Sequence, residues 1–142
     1  MRLYNLFFEQ TKKTPRKIAF LTEKNRLSFE DILHITESFE RKILDAEVKD
    51  GATISFNANQ AELYIVFALL ASKRSYRVIF ASFKSVTESG IEADAHFTSI
   101  PPSEGTADQQ IVIDGQWFAG AGISPLPDAP TLFGDGGCIV YR

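Results

Sequence analysis

The chain has 142 residues, 44% of them hydrophobic and 23% charged, with a net charge of −3. That is about one domain of chain, long enough to bury roughly two thirds of its unfolded surface, so wholesale disorder, collagen and coiled coil are excluded. The slightly acidic balance gives no electrostatic case for nucleic acid or an anionic membrane as partner, and the longest apolar run, Leu63 to Ala71, falls well short of the roughly 20 residues a membrane span needs.

Residues 1–13 contain no long apolar stretch with a small-residue cleavage site, which predicts a cytoplasmic protein without a secretory signal. Residues 3–13 are predicted to form a first helix, with Leu3, Leu6 and Phe7 on one face at i, i+3, i+4. With Tyr4 and Phe8 beside them, a docked helix is expected rather than an exposed patch. Thr14-Pro15 ends the helix, because the residue before proline is pushed out of the α region. Lys12, Lys13, Arg16 and Lys17 read as a solvated connector, since a nucleic-acid patch needs more charge and interleaved aromatics. Ile18 to Leu21 is a short strand, followed by a polar turn from Thr22 to Arg26. Ser28 to Asp31 is a capping box, in which hydroxyl and carboxylate each bond the other residue's backbone. The helix it opens runs to about Ala46, with Ile32, Ile35, Phe39 and Ile43 on its apolar face.

Val48 to Gly51 is a turn into a β-branched strand over 52–56. Asn59 to Glu62 offers a second capping signature, for a helix to about Lys73. That helix is apolar nearly all round, so burial is expected. A strand over 76–80, a short helix over 84–89 ending at Gly90 and a strand over 95–100 complete a βαβαβ order, which argues a parallel sheet with right-handed crossovers. The character then changes. Residues 1–90 carry 14 of the 15 basic and 11 of the 18 acidic side chains, a net of +3; residues 91–142 carry one basic and seven acidic, a net of −6. Five of the six prolines and seven of the nine glycines lie beyond residue 100. Residues 110–118 are predicted to form a hairpin through Asp114-Gly115, and Cys138 to Tyr141 a last strand. The expected fold is α/β: a single domain over 1–142, with a mainly parallel sheet, flanking helices and a small antiparallel hairpin, regular to residue 100 and Pro/Gly-rich beyond it.

Little in the chain carries chemistry. Gly134-Asp-Gly-Gly137 precedes a strand rather than a helix, so it reads as a turn and not a phosphate cradle. His34 lies mid-helix and His96 at a strand start, neither with a nucleophile at motif spacing. A dyad of His96 with the single Cys138 is weaker than two structural roles, and a lone cysteine is neither a disulfide nor a metal site. Asp114 and Asp135 sit in turns, and no carboxylate pair stands out as an acid/base couple. The residues alone assign no catalytic, cofactor-binding or metal position.

Five segments in order carry a resemblance: Thr14-Pro15 to Ala19, Leu27 to Ile32, Asp50-Gly51 to Ile54, Asn59 to Glu62, and the apolar helix from Tyr64 to Ala71. Together they resemble the N-terminal part of the AMP-forming acyl-CoA synthetases, a family that includes nonribosomal-peptide adenylation domains and luciferases. Gly137 to Tyr141 is similar to the family strand that leads into the Ser/Thr/Gly-rich phosphate loop, and the sequence stops at Arg142, where that loop would begin. The sequence departs from the family after the buried helix, where Ser72 to Tyr76 replaces a Gly-Ala step and Phe80-Ala-Ser82 lacks a proline.

The resemblance implies an N-terminal part, non-catalytic by itself, of a ligase that activates a carboxylate with ATP and passes the acyl group to a thiol, chemistry of the kind used in fatty acid metabolism. ATP and magnesium would be held further on. The implied partners are the remainder of the ligase chain and, for the parent enzyme, coenzyme A or an acyl carrier protein. The isolated chain would self-associate through Phe67, Leu70 and strand 138–141. Two other readings stand beside it. One is a complete, non-catalytic binding module or split subunit. The other is a flavodoxin-like domain with a ligand at the carboxyl ends of its strands, although the loops there, Asn57 to Asn59 and Ala81 to Ser85, carry no phosphate motif.

Overall fold

The computed structural model describes residues 2–23, 25–102 and 105–119. Helix α1 (Arg2–Lys13) is followed by a two-stranded antiparallel hairpin, β1 (Ile18–Leu21) with β2 (Arg26–Ser28), and by the long helix α2 (Phe29–Asp45). Then come β3 (Thr53–Asn57), α3 (Ala61–Arg74), β4 (Arg77–Phe80), α4 (Phe83–Glu88), β5 (Ala95–Thr98), a single 3-10 turn (Ala107–Gln109), β6 (Ile111–Val112) and α5 (Gln116–Ala119). The sheet has the order β4-β3-β5-β6 and every pairing in it is parallel. The βαβαβ reading therefore holds, as does the mixed α/β class.

The capping box is present as read. Asp31 N donates to Ser28 Oγ at 3.0 Å and Ser28 N to Asp31 Oδ2 at 2.9 Å. Ile32, Ile35, Phe39 and Ile43 of α2 are fully buried. They meet α3 and the sheet in an aromatic core. Phe56 stacks on Phe67 at 3.9 Å, and Phe39 presents its edge to Phe67, Trp117 and Phe118. Gly90 takes φ +76 just past α4, the C-terminal role its position suggests.

Four expectations are corrected. The hairpin is β1–β2, not 110–118: Ile111–Val112 runs parallel to β5, and Gln116–Ala119 is helical. Asp114 Oδ1 accepts from Gln116 N at 2.9 Å, an Asx turn that starts α5. A strand would point the adjacent Trp117 and Phe118 to opposite faces; the helical turn buries both against Phe39. On α1 the docked stripe is Tyr4, Phe8 and Thr11 rather than Leu3 and Leu6, which are 50% and 61% exposed. Tyr4 N donates to Ser72 Oγ at 2.9 Å and Lys73 lies over the Tyr4 ring, and these contacts fix the helix's rotation. Helix α3 has Gln60, not Asn59, at its N-cap, with no side-chain cap bond. Phe67 and Leu70 are fully buried inside this fold and offer no surface for association. Residues 134–142, with Cys138 and the proposed last strand, lie outside the described residues.

Candidate functional site

In an open parallel sheet, ligands bind outside the carboxyl ends of the strands. There the chain forms a cleft of about 320 Å³ between Asn57, Ser82, Thr98, Ile100, Thr106 and Gln110. The ends of β3 and β5 are tied together beneath it. Ser99 N donates to Asn57 O at 3.0 Å, Asn59 N to Ser99 Oγ at 3.2 Å, and Ser99 Oγ to Gln60 Oε1 at 2.6 Å. Thr98 Oγ1 donates to Ile100 O and accepts from Ile100 N, while Ser82 Oγ caps α4 by accepting from Ser85 N. These hydroxyls are therefore bound within the protein, and Lys84 is the one charged residue on the rim. The wall is mixed, with Phe83, Ile100, Pro101 and Pro102 beside the hydroxyls and amides. It can accept or donate hydrogen bonds, but it holds no acid/base pair.

A larger cavity, about 560 Å³, opens at the opposite end, below the strand starts, between Asp50, Asp94, His96 and Asp108. Asp94 Oδ2 accepts from Thr53 N at 2.8 Å, so it anchors a strand start rather than facing a ligand unpaired. Among the described residues no group of three His, Cys, Asp or Glu side chains could hold a metal ion. Size favours this cavity and topology favours the smaller one; the sheet's polarity decides for the carboxyl end.

His96 is the titratable residue with the most defined neighbourhood. Strand register sets it opposite Ser55, whose Oγ lies 2.7 Å from His96 Nδ1, and Phe83 meets its ring edge-on at 4.7 Å. Burial holds its imidazole below the ordinary histidine range. The pair has the atoms of a Ser-His dyad, but Ser55 is buried within the sheet and its hydroxyl is out of reach of a substrate. Cys138 lies outside the described residues. His34 is half-buried on α2. Lys12 pairs with Glu9 at 3.0 Å, and Lys13, Arg16 and Lys17 are exposed, as a solvated connector requires.

Sequence reasoning missed two charged clusters. Glu40 of α2 takes Lys73 at 2.8 Å and Arg74 at 2.6 Å, and Arg74 reaches Asp50 at 3.4 Å. Burial would raise the Glu40 carboxyl, but the hydrogen bonds and charges of Lys73 and Arg74 outweigh it and hold it below the usual range. Glu62, in the first turn of α3, is fully buried. Asn25 Nδ2 donates to its Oε2 at 2.7 Å, and its Oε1 has no hydrogen-bond partner. Burial pushes this carboxyl above the usual range, against bonds from a backbone amide and Asn25. Neither cluster opens onto the cleft.

Four of the five resemblance segments lie at joints of this fold. Glu30 N donates to Pro15 O and Phe29 N to Lys17 O, joining the first segment to the second. Gly51 N donates to Arg74 O, fixing the β3 start to the α3 end, and Asn25 with Glu62 pins the hairpin turn to α3. No protein-family model matches the sequence, and no curated protein is similar to it. The fold nevertheless has solved counterparts: it is similar to parts of larger synthetase and ligase chains. The chain superposes on o-succinylbenzoate CoA synthetase (MenE) of Bacillus subtilis with a TM-score of 0.66 at 14% identity, over 80% of this chain and 25% of that one. On the N-terminal subdomain of Klebsiella oxytoca NpsA the TM-score is 0.66 at 8% identity, over 88% of this chain and 33% of that one. Coronafacic acid ligase of Pectobacterium brasiliense gives 0.58 at 14% identity, over 67% of this chain and 20% of that one. The chain spans a fifth to a third of the length of these solved chains. Among the described residues no helix is long and apolar enough to cross a membrane.

Proposed function

We propose that this chain is the N-terminal, structural part of an ATP-dependent ligase that activates a carboxylate as an acyl-adenylate and transfers the acyl group to a thiol. The observation that carries the reading is the coincidence of two independent signals. Four of the five segments that resemble the family in sequence sit at joints of a fold that is similar in space to parts of solved synthetase and ligase chains. The role of this part is to hold the β3–α3–β4 and β5 scaffold in register through Ser28, Asp31, Glu40 and Glu62, and to present the carboxyl ends of its strands to the remainder of the ligase. ATP and magnesium are assigned in this reading to residues outside the described ones. Coenzyme A or a carrier-protein thiol is the proposed acceptor, and the cytoplasm the proposed setting. Calorimetric titration of the 142-residue chain with Mg-ATP tests this division of labour. The expected result is no saturable heat; a micromolar dissociation constant would mean that this part binds nucleotide itself.

A further inference from the structure

Helix α3 is apolar nearly all round, and from Ala61 to Leu70 all but two of its residues are buried. The exceptions, Ile65 and Ala68, lie one turn apart on one face. That face forms the floor of a groove of about 400 Å³, walled by Leu3 and Phe7 of α1 on one side and by Phe80 of β4 on the other. No charged residue lines it. Its one hydroxyl, on Tyr64, is engaged with the backbone of Ala58, donating to the carbonyl and accepting from the amide at 3.2 Å each. A small-molecule site needs a few placed polar groups to orient its ligand, and this groove has none to spare.

Phe80 remains 43% exposed, and Leu3 and Leu6 beside the groove more so. Apolar surface this concentrated marks an interaction site rather than ordinary exposure. The surroundings define the partner's charge. Residues 2–28, which supply the α1 wall and Phe20, carry seven basic and two acidic side chains, a net of +5. Two copies of this face repel each other; an acidic partner is attracted. The small side chains of Ala61 and Ala68 let another backbone come close, and a trough beside two packed helices suits a third helix laid in by its apolar stripe.

We propose that the groove between α1, α3 and β4 is a docking site for an amphipathic helix whose polar face is acidic. The inference rests on the groove and its charge, and stands apart from the ligase reading. The probe is a synthetic helix of about 18 residues, long enough to be helical in isolation, with leucine at i, i+3, i+4 and i+7 and glutamate elsewhere. A matched peptide with lysine in place of glutamate is the control. Fluorescence anisotropy with the full chain should show saturable binding of the acidic peptide that weakens as salt rises, and at least tenfold weaker binding of the lysine peptide. Ile65→Glu should abolish binding with the helical circular dichroism retained. Ala68→Glu, also at the groove floor, provides the same reading if Ile65→Glu fails to fold. Equal binding of both peptides, or of neither, overturns the proposal. So does a dimer in light scattering that Ile65→Glu or Ala68→Glu dissociates, which would make a second copy the occupant.

Discussion

Replacing Glu40 with alanine removes an acidic side chain that ties α2 to the end of α3. The Glu40 side chain is 10% exposed, while Lys73 and Arg74 are 26% and 28% exposed. Breaking a fully buried ion pair costs about 3–5 kcal/mol because the orphaned charge stays dry, whereas an exposed pair is worth about 0–1 kcal/mol. Here the acid is buried, but both bases can turn toward water. Arg74 also keeps Asp50, and both cations keep a favourable place at the α3 C-terminus. The expected loss is therefore intermediate, about 1.5–3 kcal/mol, read as a lower urea midpoint with an unchanged slope. The pH dependence follows from the direction of each shift. Glu40 is depressed below its ordinary 4.5, so its stabilisation is present above that value and fades as pH falls below it. For Lys73, burial lowers the ammonium, but the bond and charge of Glu40 outweigh it and raise it above 10.5; that contribution is present below 10.5 and is lost at more alkaline pH. The gap between wild type and Glu40→Ala should thus be flat from about pH 5 to 10 and close below about pH 4. A loss under about 0.5 kcal/mol, or a gap undiminished at pH 3, would refute the reasoning.

Three further outcomes are expected. Ser28→Ala should lower stability by about 0.5–2 kcal/mol in denaturant melts through loss of the α2 cap; an unchanged midpoint would contradict the capping box. Trp117→Ala should cost about 3–5 kcal/mol, because the indole fills the space against Phe39 and Phe97; a thermal melt within a degree or two of wild type would show that α5 does not close the core. Glu62→Gln tests the buried carboxyl. Its folded-state value is raised, so wild-type stability should fall as pH rises above the ordinary 4.5, while the glutamine variant lacks that slope and gains on wild type toward pH 8. Parallel pH profiles of the two proteins would place the charge in water.

The regular part of the fold was legible because its signals are local. The Ser28–Asp31 box, the stripe from Ile32 to Ile43 and the glycine past α4 each act within a turn or two of chain. What escaped the sequence was set by distant partners. Two stripes compete on α1, and Ser72 and Lys73 select the one through Tyr4, 68 residues away for the Ser72 bond. Asp114-Gly115 satisfies a hairpin turn and an Asx turn equally well; the aromatic rings waiting on α2 and β5 decide for the helix. At Asn59 the capping signature is off by one residue: its backbone N–H donates to Ser99 Oγ beyond the end of β5, and Gln60 takes the N-cap position. The Ser55–His96 pair was invisible for the same reason: the two meet only through the register of β3 and β5. The resemblance covered Glu62 but not Glu40, and both show their role only once the amide or base opposite is seen.

The central claim is that this fold serves an adenylate-forming ligase as scaffold. It is tested most directly by carboxylate-dependent exchange of labelled pyrophosphate into ATP, comparing the product of the whole reading frame with residues 1–142 alone. The account expects exchange by the former, with one or more members of a panel of carboxylic acids, and none by the latter. Exchange by residues 1–142 alone, or a whole product that exchanges with no acid in the panel, would contradict it.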